Sequence, residues 1–138
     1  MPHPRDDGRL RRRRQALRRT GLVVVFLWFT LGGLGHFVWT DAVTRIVPAS
    51  LPWARELVLA SGVFEWLGAA GLLWRRSRRA AGWGLFALTI AVTPANVTML
   101  LHADAYAVPH WLLVARLPFQ LLLLALILWS TTPRSQRG

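Results

Sequence analysis

Apolar residues fall into four long stretches along this chain, separated by short polar segments. Each stretch is about 18–22 residues long, which at 1.5 Å rise per residue crosses a hydrocarbon core of about 30 Å as a helix. The pattern predicts an all-α protein that forms a four-helix transmembrane bundle, with one membrane domain over residues 20–130. The predicted spans are Thr20 to Thr40, Leu57 to Trp74, Ala80 to Leu101 and Trp111 to Trp129.

Two arginine-containing tails flank this domain. Residues 1–19 form a basic tail whose composition predicts disorder, and residues 131–138 form a second, shorter tail. The apolar stretch after the first tail is too long for the h-region of a signal peptide, and no small-x-small cleavage site follows it promptly. We therefore expect the first tail to remain attached and the first stretch to be a membrane span.

The positions of the basic residues predict the topology. All 17 basic residues are arginines, and all but Arg45, Arg55 and Arg116 lie in the two tails or in the turn at residues 75–79. Positive charge is enriched on the cytoplasmic side of membrane proteins, so both termini and this turn are predicted to be cytoplasmic. An even number of spans places the two termini on the same side of the membrane, which agrees with this prediction. We expect a multi-pass protein of a bacterial-type cytoplasmic membrane.

The net charge of +11 predicts a partner for the tails. Arginine near an anionic leaflet contributes on the order of 1 kcal/mol of membrane binding, so the lipid bilayer is the expected partner. Neither interleaved aromatic residues nor a recognisable binding module accompanies the arginines, and we therefore expect no nucleic-acid partner.

Two charged residues inside the spans are the best candidates for function. Glu65 is the only charged residue of the second span and Arg116 is the only one of the fourth. A charge near the middle of a span costs roughly 2.5–3.5 kcal/mol on insertion scales, so such residues usually face the bundle interior and pair with one another. We expect Glu65 and Arg116 to form such a pair.

Three uncharged polar residues fall in the same half of the membrane as this pair. His36, Asn96 and Arg116 are predicted roughly 6–10 Å below the outer boundary, and Gln120 and Glu65 roughly 14–16 Å below it. The inner half of every span is almost purely apolar. The sequence therefore predicts a polar cup that opens outward or laterally rather than a channel.

A structural interpretation of the same residues stands beside the functional one. Glu65 and Arg116 would be a buried ion pair, and Asn96, Gln120 and His36 would hold the four helices together. Polar contacts between membrane helices are worth only about 0.6 kcal/mol on average. Leucine together with small residues would pack the helices without the cost of burying polar groups. This comparison favours function for the cluster as a whole.

The chain contains no cysteine. It therefore cannot by itself house a disulfide relay, a cysteine-ligated iron–sulfur cluster or a thiolate-ligated haem. Any redox chemistry would use a bound cofactor or a partner protein. A haem held by His36 and His102 is a further alternative, and no metal site is predicted.

Several short motifs lie along the spans. They are Gly35-His36-Phe37, Ser61-Gly62, Glu65-Trp66-Leu67-Gly68, Pro94-Ala95-Asn96 and Arg116-Leu117-Pro118-Phe119-Gln120. Together these motifs resemble the DoxX-like family of small integral membrane proteins. The resemblance implies a four-helix membrane bundle, with Glu65, Asn96, Arg116 and Gln120 at the family's polar positions. The family includes the membrane subunit of a thiosulfate:quinone oxidoreductase, so the resemblance also implies quinone-linked electron transfer with a redox partner protein.

These observations lead to two hypotheses. In the first, the cup binds a quinone-like or other lipophilic small molecule: Arg116, Asn96 and Gln120 hold the ligand, and Glu65 and His36 carry protons. Apolar burial and a neighbouring arginine would act in opposite directions on the protonation of Glu65. In the second, the protein is a non-catalytic assembly factor or scaffold. Whether it is an enzyme stays open at this point.

Homo-oligomer formation is a further expectation. Its candidate contacts are the leucine face of the fourth span and two small residues of the third, Gly82 and Gly84.

Overall fold

The computed structural model describes residues 4–106 and 108–132, and the described residues form helices joined by short connections. Four segments are long and apolar enough to cross a membrane: Gly8–Val38, Ala54–Leu73, Arg78–Leu101 and His110–Thr131. The predicted all-helical fold with four spans is confirmed. The helices are α1 (Pro4–Val38), α2 (Thr40–Thr44), α3 (Ala54–Leu73), α4 (Arg78–Ala91), α5 (Thr93–Leu101) and α6 (His110–Thr131), with a 3-10 turn at Ala103–Ala105.

The third span consists of two helices. α4 ends at Ala91, Val92 lies between the helices, and α5 begins at Thr93. Pro94 explains the interruption, because proline has no N–H to donate to the carbonyl four residues earlier. This carbonyl belongs to Ile90.

The basic tail differs from the expected disordered segment, because α1 is one helix from Pro4 to Val38. Arginine, leucine, glutamine and alanine, which dominate the tail, are good helix formers. The tail also extends a helix that the apolar span already nucleates, so only the more favourable propagation steps are required. The arginines from position 9 to 14 are exposed on this extension. Residues 133–138 of the second tail lie outside the described residues.

The four spans pack in a ring. α1 packs against α3 and α6, and α4 packs against the same two helices from the opposite side, while α5 packs against α6. α3 and α6 therefore face each other across the bundle. The arrangement places the arginine-rich start of α1, the turn before α4 and the end of α6 at one end, where the Arg18 guanidinium donates to the Thr132 carbonyl.

Apolar side chains fill the half of the bundle nearer this arginine-rich end. Gly82 is buried there against Thr131, so this predicted oligomer contact is used inside the bundle, whereas Gly84 has open space around it. The five polar residues predicted for the site all lie towards the opposite end: His36, Glu65, Asn96, Arg116 and Gln120. The core consists of Val25, Phe29, Ala69, Leu72, Leu85, Leu123 and Ile127.

Short connections close the opposite end. The Arg55 Nη1 lies 2.8 Å from the Asp41 Oδ1, which joins the start of α3 to α2. The Tyr106 hydroxyl donates to the Arg45 carbonyl at 3.1 Å. Trp53, which precedes α3, has a left-handed backbone with φ of 55°.

Candidate functional site

The Glu65 carboxylate lies between α3 and α1, close to the α1 backbone. The residue is only 9% exposed. A Cβ at position 32 would lie 2.8 Å from the Glu65 Oε2, so a glycine at this position leaves the space that the carboxylate occupies. The glycine of α1 and the glutamate of α3 are therefore complementary in shape.

His36 lies beside Glu65 and contacts α3 through both ring nitrogens. Its Nδ1 is 2.9 Å from the Val58 carbonyl oxygen and 2.7 Å from the Ser61 Oγ. Its Nε2 faces the Glu65 Oε1 at 3.7 Å. The side chain is 18% exposed, so the pair can be reached from one side of the bundle.

Two arrangements of protons are compatible with these distances. When Nδ1 carries a proton it donates to the Val58 carbonyl, and a neutral ring then presents the Nε2 lone pair to Glu65. When Nδ1 instead accepts from the Ser61 hydroxyl, the proton is on Nε2 and points towards the carboxylate. Ser61 is also able to donate to Val58 at 2.8 Å, so it follows either state. The His36 ring can therefore adopt either neutral tautomer, and at 3.7 Å its Nε2 is not hydrogen-bonded to the Glu65 Oε1.

Two glycines allow α1 and α3 to approach closely enough to form this cluster. A Cβ at Gly62 would lie 2.9 Å from the His36 Cβ and 3.2 Å from the Gly33 carbonyl oxygen. A Cβ at Gly33 would lie 3.0 Å from the Gly62 carbonyl oxygen. The Trp66 indole N–H donates to the Thr30 carbonyl at 3.0 Å and adds a polar link between the two helices. Small residues thus position His36 against Ser61 and Glu65.

The Glu65 Oε2 is buried without a hydrogen-bond partner among the described residues. An unsatisfied buried polar group costs about 1–3 kcal/mol, and more when it is charged. Helix packing alone does not explain such a carboxylate, since an apolar side chain would fill the space at lower cost.

Asn96 and Gln120 form a second polar cluster around the break in the third span. The Asn96 Nδ2 donates to the Gln120 Oε1 at 2.7 Å. The Gln120 Nε2 donates to the Thr89 carbonyl at 3.0 Å and to the Thr93 hydroxyl at 2.5 Å. Gln120 is therefore well satisfied and ties α6 to both halves of the broken span, as the structural interpretation of these residues predicts. Thr89 was not predicted from the sequence to belong to this cluster. Its position about one turn before the break in the third span could have indicated this role.

Arg116 lies on the exposed surface of α6, apart from Glu65. Its Nη1 contacts the Met99 sulfur at 3.3 Å. Among the described residues the ion pairs are Arg55 with Asp41 and His36 with Glu65, so the expected pair of Glu65 and Arg116 is not formed. The reason is the packing order: Glu65 faces α1, whereas α6 lies across the bundle from α3.

Four of the five predicted site residues are thus divided between two clusters, and Arg116 belongs to neither. Glu65 and His36 meet between α1 and α3, and Asn96 and Gln120 meet between α5 and α6. Arg116 is on the same helix as Gln120, one turn earlier, and does not hydrogen-bond to the amide cluster. Across the described residues, no group of three or more histidine, aspartate or glutamate side chains is placed to hold a metal ion.

Comparison with known proteins finds a family model that matches most of the chain, and its description names no activity. The sequence model of a family described as "Domain of unknown function (DUF8561)" matches residues 12–132. Neither a curated protein nor a solved structure matches the chain.

Proposed function

The chain belongs to the DUF8561 family, whose description names no activity, and from the site we propose that this membrane protein binds a small lipophilic ligand beside a proton-carrying pair, Glu65 and His36. The observation that carries the proposal is the buried Glu65 Oε2, which has no hydrogen-bond partner in the described part of the chain. The partly exposed His36 next to it provides a route for protons and for a ligand.

A quinone-like molecule is the ligand class that we propose. Its carbonyl oxygens accept hydrogen bonds, and the protonated forms of Glu65 and of the His36 ring both offer a donor. The partly exposed His36 ring and the surrounding apolar helices are compatible with such a ligand. When bound, a quinone would supply two-electron chemistry coupled to two protons. The resemblance to DoxX-like proteins supports a redox role, and a partner protein would supply the electrons.

The residues of the chain would handle the protons in this proposal. Glu65 holds one proton at its carboxyl group, and His36 receives or returns it at Nε2. The carbonyl of Val58 and the hydroxyl of Ser61 hold the ring in place at Nδ1. The close contact between Gly33 and Gly62 keeps the distance between the two proton carriers short.

The remaining predicted residues have less direct roles in this proposal. Arg116 is exposed and contacts only the Met99 sulfur among its described polar neighbours, so its guanidinium is available for a carbonyl or anionic group of a ligand. Asn96 and Gln120 hydrogen-bond to each other, and they would support the ligand-binding surface by fixing the broken span.

The test is purification in a mild detergent from native membranes, followed by the visible spectrum and mass spectrometry of extracted small molecules. We expect the wild-type protein to retain one lipophilic compound in stoichiometric amount and Glu65→Leu to lose it. Arg116→Leu is purified in parallel, and loss of the compound from this variant as well would show that Arg116 belongs to the same site. Wild-type protein without any bound compound would contradict the proposal.

A scaffold without catalytic activity is the second candidate function. The satisfied Asn96–Gln120 cluster favours it, because these two residues show that polar side chains hold helices together in this bundle. Purification of an empty, colourless protein together with a partner protein would support the scaffold.

We also propose that both termini are cytoplasmic, in a bacterial-type cytoplasmic membrane, with both polar clusters in the outer half of the membrane. The support is the arginine distribution between the two ends of the bundle. Because the chain contains no cysteine, single cysteines report on topology without background. A membrane-impermeant maleimide added to intact cells should label Asp104→Cys and should label Arg76→Cys only after permeabilisation. The reverse pattern of labelling would contradict this topology.

A further inference from the structure

An apolar groove runs along the outside of the bundle between α3 and α4, away from Glu65 and His36. Its volume is about 470 Å³. Phe64, Leu67 and Gly68 form one wall, and Ala81, Gly84 and Ala91 are part of the other. Gly84 has no atom within 4 Å of a Cβ built on it, so the groove is open at its middle.

The turn that joins the two helices of the groove is strongly basic. Arg75, Arg76 and Arg79 are exposed. None of them forms an ion pair with a described carboxylate, because the described pairs involve other residues. Arg78 has a separate structural role, since its Nε donates to the Leu72 carbonyl at 2.9 Å. The groove thus begins close to three guanidinium groups that lack an anionic partner in the described structure.

We propose that this groove and turn bind an anionic phospholipid, with the headgroup phosphate on the arginines and one acyl chain in the groove. Guanidinium groups form paired hydrogen bonds with phosphate oxygens. An anionic headgroup carries no cation of its own to compete with the arginines, so phosphatidylglycerol should bind more tightly than phosphatidylcholine.

The length of the groove matches one leaflet of a bilayer. From Ala81 to Ala91 it extends about 15 Å at 1.5 Å per residue. Half of a hydrocarbon core of about 30 Å has the same thickness. The groove therefore extends from the headgroup level to about the membrane midplane, where the third span is interrupted. A transmembrane helix of a partner protein would need a continuous surface through both leaflets, so the geometry favours an acyl chain.

Two exposed tryptophans mark the level of the headgroups. Trp74 and Trp83 lie beside the basic turn and are 63% and 52% exposed. Indole rings prefer the membrane–water interface. The arginines of the turn therefore lie at the level of the lipid phosphates of that leaflet.

The experiment is native mass spectrometry of the full chain in detergent, titrated with phosphatidylglycerol or with phosphatidylcholine of the same chain length. Arg75→Gln/Arg76→Gln should weaken phosphatidylglycerol binding about 10- to 30-fold, as expected for two surface arginines. Its matched control is Arg12→Gln/Arg13→Gln, which removes the same charge from α1 at the same end of the bundle and should change the affinity less than about threefold.

A second pair of variants tests the groove. Gly84→Leu places a side chain in the groove, where a Cβ at this position meets no atom within 4 Å, and should weaken binding at least about tenfold, since the acyl chain loses its apolar contacts. Ala87 also lines the groove, and Ala87→Leu is a second, independent variant that should weaken binding in the same way. Ala125→Leu is the matched control, because it adds a leucine side chain to an exposed position of α6 and should leave binding unchanged.

Three results would overturn the proposal. If the two arginine double variants lost phosphatidylglycerol affinity equally, binding would be a general electrostatic attraction without a defined site. Unchanged binding in folded Gly84→Leu and Ala87→Leu would show that no acyl chain occupies the groove. Equal affinity for the two lipids would show that the headgroup charge is not recognised. None of these results depends on the ligand proposed for Glu65 and His36.

Discussion

Glu65→Gln should abolish proton-coupled activity and leave the bundle folded. Glutamine has the same shape as glutamate but cannot release or accept the proton that we assign to Glu65. General acid–base catalysis contributes about 10²- to 10⁴-fold, so activity towards the compound identified in the purified protein should fall at least about 100-fold. The measurement is turnover of that compound with proton uptake, in vesicles that contain equal amounts of each variant.

Folding should survive this substitution because the carboxylate makes few contacts that an amide would lose. Its Oε2 has no hydrogen-bond partner within residues 4–106 and 108–132, and its Oε1 is 3.7 Å from the His36 ring, beyond hydrogen-bond length. We expect the free energy of unfolding to change by less than about 1 kcal/mol.

Glu56→Gln is the matched control, since Glu56 lies on the same helix and is exposed. It should retain wild-type activity. If activity in Glu65→Gln fell only in proportion to the amount of folded protein, Glu65 would be a structural residue and the scaffold would be the better interpretation.

Gly62→Leu should separate α1 from α3 and strongly destabilise the protein. The first atom of the new side chain would already lie 2.9 Å from the His36 Cβ and 3.0 Å from the Phe37 ring. The Gly33 carbonyl oxygen is 3.2 Å away, and a backbone atom cannot move aside without movement of the helix. Overpacking of this kind costs about 1–3 kcal/mol or more. The measurement is the free energy of unfolding in mixed micelles with increasing denaturing detergent.

Gly84→Leu is the control for this prediction as well. Both substitutions add the same atoms to a glycine inside a helix and gain similar helix propensity, but nothing lies within 4 Å of a Cβ at Gly84. Its unfolding free energy should therefore not fall more than about 0.5 kcal/mol below the wild-type value, and the gain in helix propensity should raise it by up to about 1 kcal/mol. Equal destabilisation by the two variants would show that the close approach of α1 and α3 does not exclude a side chain at position 62.

The two variants also distinguish assembly of the site from its chemistry. Gly62→Leu should lose the contact between His36 and Ser61 together with stability, because the shared helix contact positions both residues. Glu65→Gln should lose activity alone. Both variants are therefore expected to be inactive. Only Gly62→Leu, which moves the two proton carriers apart, should also lower the free energy of unfolding.

Much of the fold could be predicted from the sequence, because helix formation in a membrane depends on local properties. Unpaired backbone groups are costly in lipid, so an apolar stretch of sufficient length must form a helix that satisfies its own hydrogen bonds. The four spans follow from this constraint. The candidate residues were also visible, since a lone glutamate in an apolar helix stands out by its insertion cost. The helical form of the basic tail was missed because composition alone indicated disorder.

The partners of these residues could not be predicted, because they depend on which helices are neighbours. The sequence led us to pair Glu65 with Arg116 on charge, but charge does not determine the order of helices around the ring. In the structure the glycines of α1 and α3 bring those two helices together, so the carboxylate meets His36, and Arg116 remains on the outer surface of α6. The sequence by itself thus determined the spans and the residue types of the site. Only the tertiary structure decided which of them meet, because close approach of backbones depends on where small residues of different helices coincide.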